Sequence, residues 1–251
     1  MKADRPAVRL LATAQILLKM KKFYSIILVV LAVVSIAGMF ACCNTDKEEI
    51  AAEMPSGNLG GHEWVDLGLS VRWATCNVGA NSPEENGDYF AWGETTKKDE
   101  YLLCNYSYFN WDGGGCQSFA KYCKGSNYGE NGFADNKAVL DVSDDAATAN
   151  WGEGWRMPTK DEFQELFDKC KWVKTSNGYE VTGPNGKSIL LPLAGYRVTT
   201  EPREVGIDGY YWTSSLGEKG PSYAWRTDFD EGRMFEDCRD SGLPVRPVCK
   251  K

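Results

Sequence analysis

The stretch Trp151–Leu166 constrains the fold more than any other part of the chain, because it combines a tight turn with the start of a helix. Gly152 and Gly154 allow the backbone to turn sharply between two tryptophans. Thr159 occupies a helix N-cap position and Glu162 follows three residues later, which is the pattern of a capping box. Apolar residues then recur at helical spacing, at Phe163, Leu166, Phe167 and Cys170. The stretch therefore predicts a capped helix with one buried face.

The remaining sequence favours short strands. Alternating apolar and polar residues over 63–67 and 70–76 predict two strands joined at Gly68. Residues 178–182 and 188–192 flank a Gly-Pro-Asn-Gly turn, which indicates a β-hairpin. Further strands are expected at 210–214, 223–229, 233–235 and 245–248, and a second short helix at 142–150 with Ser143 as its N-cap. Short strands dominate and two helices lie in the middle, so the predicted class is α+β.

The N-terminal segment has the organisation of an export signal. Lysines at 19, 21 and 22 precede an uncharged run over 23–41. Small residues lead up to Cys42, as in a lipoprotein signal. Cleavage before Cys42 would make its thiol the site of a diacylglyceryl anchor. The alternative is an uncleaved signal-anchor helix over 23–41. Both interpretations place the remainder of the chain outside the cytoplasm.

These features divide the chain into three parts. Residues 1–42 are interpreted as an upstream extension, ending before a start at Met20, followed by the lipoprotein signal peptide. Residues 43–60 form a polar, flexible tether. Residues 61–250 form one folded domain that contains all nine tryptophans. The sequence Lys47-Glu48-Glu49 resembles the acidic signals that export lipoproteins to the outer face of the outer membrane, so a lipid-anchored cell-surface location is expected.

The charge of the chain excludes one class of partner. Residues 1–42 hold six of the 28 basic and one of the 35 acidic residues, which leaves 22 basic and 34 acidic residues and a net charge of −12. Nucleic-acid binding requires a basic surface, so no nucleic-acid partner is expected. The membrane is expected as a partner only through the lipid anchor.

The cysteines do not specify a metal site. The chain has nine cysteines, and eight remain if Cys42 carries lipid. Eight cysteines allow about 105 connectivities, which sequence alone cannot choose among. The chain contains no CxxC pair, and the thiols at 104, 116 and 123 have no neighbouring histidine, so a zinc site is disfavoured.

Several motifs occur in an order that resembles a known family. They are Glu63–Ala80, Gly87–Thr95, Asp144–Gly152, Trp155–Thr159, Leu191–Arg197, Gly209–Ser215 and Val245–Val248. Together, over about residues 62–249, they resemble the Fibrobacter major paralogous domain (FISUMP) family, which is common in lipoproteins of gut bacteria. The Trp155–Thr159, Tyr211–Ser215 and Arg246–Val248 motifs also resemble the wider C-type-lectin-like superfamily.

The resemblance implies a fold more directly than an activity. It implies a C-type-lectin-like α+β domain of short antiparallel strands and two helices, with adjacent N- and C-terminal strands. That arrangement would bring Cys76 close to Cys249 and makes them a candidate disulfide. The family has no established single activity. The paired cysteines of formylglycine-generating relatives cannot be matched to Cys238 and Cys249, so that activity is not carried over.

No catalytic motif stands out, and the chain is not expected to be an enzyme. His62 is the single histidine of the chain, so a Ser-His-Asp or Cys-His catalytic group would have to use it. It lies at the edge of the predicted domain, where a histidine is usually not catalytic. A nucleophile elbow, an HExxH motif and a phosphate loop are missing from the sequence. Carboxylates are numerous, but nothing in the sequence marks two of them as a glycosidase pair.

The C-terminal strands carry the candidate ligand-binding residues. Strand alternation places Trp225, Thr227 and Phe229 on one face, with Arg226 and Asp228 on the other. If Met234 points inward, Phe235 is displayed among charged residues, as in many binding hot spots. In lectin-like relatives this region forms the ligand face. The candidates are Arg226, Asp228, Arg233, Phe235, Asp237 and Arg239. The alternative is a solvated sheet face with no ligand.

No cofactor is expected, with calcium as the alternative. Oxygen-bearing side chains cluster at Asp135, Asn136, Asp141, Asp144 and Asp145. Such a density of oxygen ligands could hold Ca²⁺. Helix capping accounts for residues 143–145 without a metal and is preferred. The Glu-Pro-Asn and Trp-Asn-Asp motifs of common lectin sugar sites are missing from the sequence.

These observations favour a cell-surface lipoprotein with a lectin-like domain that binds a glycan or a protein outside the cell. One alternative is a structural lipoprotein of the envelope without a small ligand. A second alternative is an extracellular hydrolase. Each would have a different signature: saturable binding, no ligand at all, or turnover that depends on one carboxylate.

Overall fold

The computed structural model describes residues 57–111 and 117–251. The predicted signal peptide, the lipidation residue Cys42 and most of the predicted tether lie outside the described residues. Glu53–Lys251 forms one compact unit. Within the described ranges, no helix is long and apolar enough to cross a membrane.

The described residues form mostly short strands with two short α-helices, so the fold is α+β or mainly β. The first strands are β1 Gly57–Leu59, β2 His62–Val65, β3 Arg72–Ala74, β4 Tyr89–Phe90, β5 Phe109–Trp111, β6 Gln117–Phe119 and β7 Trp155–Arg156. The next are β8 Lys171–Lys174, β9 Tyr179–Thr182, β10 Ser188–Leu191, β11 Tyr196–Arg197 and β12 Pro202–Arg203. The last are β13 Trp212–Leu216, β14 Tyr223–Asp228, β15 Arg233–Cys238, β16 Leu243–Pro244 and β17 Val248–Cys249.

A five-stranded sheet joins the two ends of the domain. Its strand order is β1-β2-β3-β17-β7, and its neighbouring strands are antiparallel. Val248 lies opposite Trp73 on one side and Arg156 on the other. The last strand therefore lies between elements separated from it by long stretches of chain. The expectation of adjacent terminal strands is confirmed for the described part of the domain.

The second helix, α2, spans Lys160–Lys169 and begins as the sequence predicts. The Thr159 side chain accepts a hydrogen bond from the Glu162 amide, and the Glu162 carboxylate accepts one from the Thr159 amide. Phe163 and Leu166 are fully buried, and the Phe163 ring packs edge-on against Trp73 with 4.9 Å between centroids. The capped helix thus packs its apolar face against Trp73 of the five-stranded sheet and against strands β13, β14 and β15.

The first helix, α1, spans Ala146–Trp151 and begins later than expected. Its N-cap is Asp145, not Ser143, and residues 142–144 form a separate 3₁₀ turn. The Asp145 carboxylate is buried and accepts hydrogen bonds from the amides of Thr148 and Met157. The second of these bonds comes from outside the helix, and it fixes Asp145 as the cap.

The core has two main parts. One part packs α2 and the β8–β10 sheet against Trp73 and Val248. The other surrounds the indoles of Trp92 and Trp212, whose N–H groups donate to the carbonyls of Thr213 and Phe90. The predicted hairpin is confirmed, since Ser188 pairs with Thr182 across the Gly-Pro-Asn-Gly turn.

Candidate ligand-binding face

Strands β14 and β15 pair in a register that brings five of the six candidate residues together. Arg226 lies opposite Phe235, Asp228 lies opposite Arg233, and Asp237 lies opposite Ala224. Directly opposed residues point to the same side of a sheet. We call the surface formed by Arg226, Asp228, Arg233, Phe235 and Asp237 the β14–β15 face.

Arg226 lies at the centre of this face and is held on several sides. Its Nε donates to Asp237 Oδ2 at 2.8 Å, and its Nη1 lies 3.4 Å from Asp228 Oδ2. The guanidinium carbon is 4.4 Å from the ring centre of Tyr210 and 4.9 Å from that of Phe235. The side chain is only 11% exposed. Arg226 is therefore a fixed part of the face and contributes to its stability.

Phe235 is half-buried and surrounded by cations. Besides Arg226, the Lys219 ammonium lies 4.6 Å from the ring centre and the Arg233 guanidinium 5.3 Å from it. Arg233 is 53% exposed and pairs with Glu231. Met234 is buried, as the sequence reasoning assumed. Arg233 is thus the most accessible of the candidate cations.

The charges on and around this face are balanced. Arg226 pairs with Asp228 and Asp237, Arg233 pairs with Glu231, and Lys219 is a third cation over the Phe235 ring. Hydrogen-bond donors and acceptors therefore both lie near one aromatic ring. Such an arrangement suits a ligand that combines hydroxyl or amide groups with an apolar edge, and it does not select for a single sign of charge.

Arg239 is not part of the β14–β15 face, and its assignment as a contact residue is wrong. Its side chain is 1% exposed. It donates to the Tyr106 hydroxyl at 2.9 Å and to the carbonyls of Pro221 and Lys121 at 2.8 and 3.3 Å. Five aromatic rings surround the guanidinium, those of Trp92, Tyr106, Tyr108, Phe119 and Tyr122. Arg239 therefore links residues 106–108 and 119–122 to Trp92 and Pro221.

The acidic cluster considered for calcium is occupied by protein donors. Asp144 accepts hydrogen bonds from Lys121 Nζ at 2.7 Å and from the Tyr122 hydroxyl at 2.5 Å. Asp135 accepts from the amides of Tyr122 and Cys123. Asp141 pairs with Lys137, and Asp145 caps α1. No group of three His, Cys, Asp or Glu side chains suited to a metal occurs within residues 57–111 and 117–251.

The pKa of Asp144 agrees with a carboxylate that is already hydrogen-bonded within the protein. Burial alone would raise the pKa of its carboxyl group, but the hydrogen bonds from Lys121 and Tyr122 outweigh it and lower the pKa below its usual value. The same contact raises the pKa of Tyr122, together with burial. Asp144 is therefore a charged carboxylate that accepts hydrogen bonds from the neutral Tyr122 phenol and from Lys121.

His62 is packed as an aromatic side chain. Its ring stacks on Trp151 with 3.8 Å between centroids and an interplanar angle of 4°. The edge of Trp155 faces it at 6.4 Å. Partial burial lowers the pKa of the imidazole. These contacts tie β2 to the end of α1.

The candidate bridge between Cys76 and Cys249 does not form, and both thiols are free. In the observed register Cys249 lies opposite Arg72, four residues before Cys76. β3 ends at Ala74, so Cys76 lies beyond the part of the strand that pairs with β17. Adjacent strands therefore do not bring these two thiols together. Burial raises the pKa of the Cys249 thiol.

A cleft that the sequence reasoning missed lies over the other side of the five-stranded sheet. We call it the terminal-sheet cleft; its volume is about 580 Å³. Its apolar lining includes Leu59, Trp64, Val142, Trp155 and Cys249, and its charged lining includes Arg72, Glu153, Arg156 and Lys250. The signal available in the sequence was that Trp64 and Arg72 alternate with the core residues Val65 and Trp73.

A comparison with known protein families matches residues 65–249 to the Lcl C-terminal domain. This match covers well over half of the chain. The chain belongs to the Lcl C-terminal domain family. No curated protein and no solved structure matches it. The matched range of this Lcl C-terminal domain includes all of the β14–β15 face and the parts of the terminal-sheet cleft contributed by β3, β7 and β17.

Proposed function

We propose that this protein is a lipid-anchored lipoprotein of the cell surface whose Lcl C-terminal domain binds an extracellular glycan or protein ligand and has no enzymatic activity. The motif order that resembles the FISUMP family and the C-type-lectin-like superfamily supports a lectin-like binding role. In this proposal the ligand contacts the β14–β15 face. Neither a metal nor an organic cofactor is required.

The observation that carries the proposal is the arrangement around Phe235. One aromatic ring lies among Arg226, Arg233 and Lys219, and Arg226 is held in place by Asp228 and Asp237. Fixed polar groups around an aromatic ring lose little conformational entropy when a ligand binds.

The experiment for this proposal uses variants chosen by exposure. Arg233→Glu changes an exposed cation, and Arg203→Glu on the exposed strand β12 is the matched control. Binding is measured on a broad glycan panel and by capture of cell-surface proteins, with calcium and with chelator. We expect a saturable ligand whose affinity falls about tenfold in Arg233→Glu and Phe235→Ala, as for an interface hot spot, and is unchanged in Arg203→Glu.

Other outcomes point to other functions. The absence of any ligand for the folded protein would favour a structural role in the envelope. Turnover of a glycan that disappears when one carboxylate is neutralised would establish a hydrolase. Arg226 is unsuitable as the first variant, because its loss would leave Asp228 and Asp237 unpaired and alter the fold around the face.

The membrane anchor is tested separately. In Cys42→Ser we expect the protein to lose incorporation of labelled fatty acid and to retain its signal peptide. Proteolysis of intact cells should degrade the native protein if it reaches the outer surface. Survival of the native protein on intact cells, with degradation after the envelope is opened, would contradict a cell-surface location.

A further inference from the structure

The terminal-sheet cleft has the size and lining of a small-molecule site. Clefts that bind small ligands have volumes of about 300–1,000 Å³ and a mostly apolar lining with a few polar groups. The volume here, about 580 Å³, lies within that range. Trp64 provides aromatic surface and Leu59 and Val142 provide aliphatic surface, whereas Trp155 lines the cleft as a buried side chain that is only 1% exposed. Val142 is 73% exposed, so its side chain is accessible from solvent.

The charged groups of the cleft indicate the sign of a ligand. Arg72 stacks on the Trp64 ring at 4.2 Å and donates from Nη1 to the Lys250 carbonyl at 3.1 Å. Its Nε is buried and has no hydrogen-bond partner among the described residues. Asp66 lies close enough to Arg72 for the arginine charge to lower the pKa of its carboxyl group, and Asp66 also pairs with Lys251. The guanidinium nevertheless has hydrogen-bonding capacity that the protein does not use.

The other two charged residues differ in availability. Arg156 is neutralised by its two-pronged pair with the Glu162 carboxylate. Glu153 is exposed at the rim of the cleft. Among the residues that line the cleft, the cations Arg72 and Lys250 outnumber the one carboxylate that is not paired with an arginine, Glu153. Asp66 acts on Arg72 from outside the lining. An anionic group is the ligand feature that complements the cations of the lining.

We propose that the terminal-sheet cleft binds a small organic carboxylate with an apolar or aromatic body. Its carboxylate pairs with Arg72 and is attracted by Lys250. Its apolar body lies against Trp64, Leu59 and Val142. This site is separate from the β14–β15 face, because it is formed by the five-stranded sheet and not by β14 and β15.

The test uses 4-phenylbutyrate as the probe and 4-phenylbutanol as its neutral counterpart. The whole chain, labelled with ¹⁵N at tryptophan and held in a neutral detergent, is titrated while the indole N–H resonances are recorded. Trp64→Phe and Trp155→Phe assign the two resonances of the cleft. We expect both to shift saturably with a Kd of about 1 mM or tighter for the carboxylate, given its size. The alcohol should bind at least about tenfold more weakly.

Charge variants separate the cleft from non-specific binding. Arg72→Gln should weaken binding of 4-phenylbutyrate about ten- to one-hundredfold, because hydrogen bonds to a charged group are lost. Glu153→Gln should strengthen binding about two- to threefold, since a repulsive surface charge is removed. Arg203→Gln, on exposed β12, should leave the affinity unchanged.

Several results would overturn the proposal. These are the absence of a saturable shift at Trp64 and Trp155, equal affinity for the alcohol, and unchanged affinity in Arg72→Gln. Should Arg72→Gln fail to fold, Lys250→Gln provides the same comparison at an exposed position, with an expected weakening of about two- to fivefold. Unchanged affinity in that variant would equally contradict the role of the cations.

Discussion

At the scale of single residues, two arginines are used as core side chains. Arg246 is fully buried and donates to the carbonyls of Ala74, Thr75 and Leu190 and to the Asn77 side chain. Arg239 is buried among aromatic rings. Arginine is rarely buried completely, so a sequence pattern assigns it to the surface by default. That default explains why Arg239 was wrongly predicted to contact a ligand.

Replacing Arg239 should therefore affect folding and not ligand capture. Lysine keeps the charge, but it cannot reach the Tyr106 hydroxyl and the two carbonyls together. Each hydrogen bond to a charged group contributes about 1.5–3 kcal/mol, so Arg239→Lys should lower the free energy of unfolding by about 3 kcal/mol or more. Urea unfolding measures this, with Arg203→Lys as the exposed control. A loss below about 1 kcal/mol would show that the hydrogen bonds and aromatic rings around Arg239 contribute little to stability.

Calcium should not stabilise the domain through the acidic cluster. Asp144 and Asp145 would have to release lysine, tyrosine and backbone donors to coordinate an ion. The melting temperature in millimolar calcium and in chelator should therefore agree within about 2 °C, since specific binding would raise it by mass action. A larger rise in calcium, lost in Asp141→Asn, would show that the cluster rearranges to bind the ion.

At the scale of elements, the sequence predicts what depends on neighbouring residues. The capping box of α2 and the β9–β10 hairpin are local patterns, and both are confirmed. The start of α1 is not local, because Met157 donates to Asp145 from 12 residues away. The sequence did not predict that β14 pairs with β15. The alternation of residues within each strand was nevertheless enough to select five residues that lie on one face.

The pH dependence of stability should reflect the cap of α2. Burial acts to raise the pKa of Glu162, but hydrogen bonds from Arg156 and the Thr159 amide outweigh it, so the pKa lies below its usual value. A carboxyl group with a lowered pKa stabilises the fold above its unfolded pKa of about 4.3. That stabilisation is lost as the pH falls through the lower, folded pKa.

Glu162→Gln removes this contribution. At about pH 7 we expect it to cost about 1.5–3 kcal/mol of unfolding free energy, because charge-assisted hydrogen bonds are lost. The difference from the native protein should shrink as the pH falls toward about 3. Urea unfolding across this range provides the measurement, and Asp161→Asn, which neutralises an exposed carboxylate in the first turn of α2, serves as the control. A difference that does not change with pH would rule out the ionised carboxylate as its source.

At the scale of the whole molecule, the positions of the two candidate sites follow from sheet pairing. The β14–β15 face is built by strands close in sequence, and all five of its residues are among the six predicted candidates; the sixth, Arg239, lies in the core. The terminal-sheet cleft is built by β1, β2, β3, β7 and β17, whose association depends on long-range register. Alternation within β2 places the side chains of Trp64 and Val65 on opposite faces of the sheet. It does not predict whether the face that carries Trp64 is covered by other parts of the chain or left open as a cleft. This is why the cleft could not be predicted from the sequence.

The same pairing makes the last strand essential to the fold. β17 lies between β3 and β7, and its Val248 is fully buried between Trp73 and Arg156. Removing residues 247–251 would separate the sheet into two parts and leave the ladder groups of β3 and β7 unpaired. We expect the truncated chain to lose its cooperative unfolding transition and its near-ultraviolet circular dichroism, to which Trp73 and Trp155 contribute.

The control truncation removes only residues 250 and 251. It deletes the Lys250 carbonyl that accepts from Arg72 and the Lys251–Asp66 ion pair, and it keeps β17. Its cost should be about 1–2 kcal/mol, the sum of one hydrogen bond and one exposed ion pair. Native-like unfolding of the longer truncation would mean that β3 and β7 can close on each other. The central position of β17 would then not be what holds the two ends of the domain together.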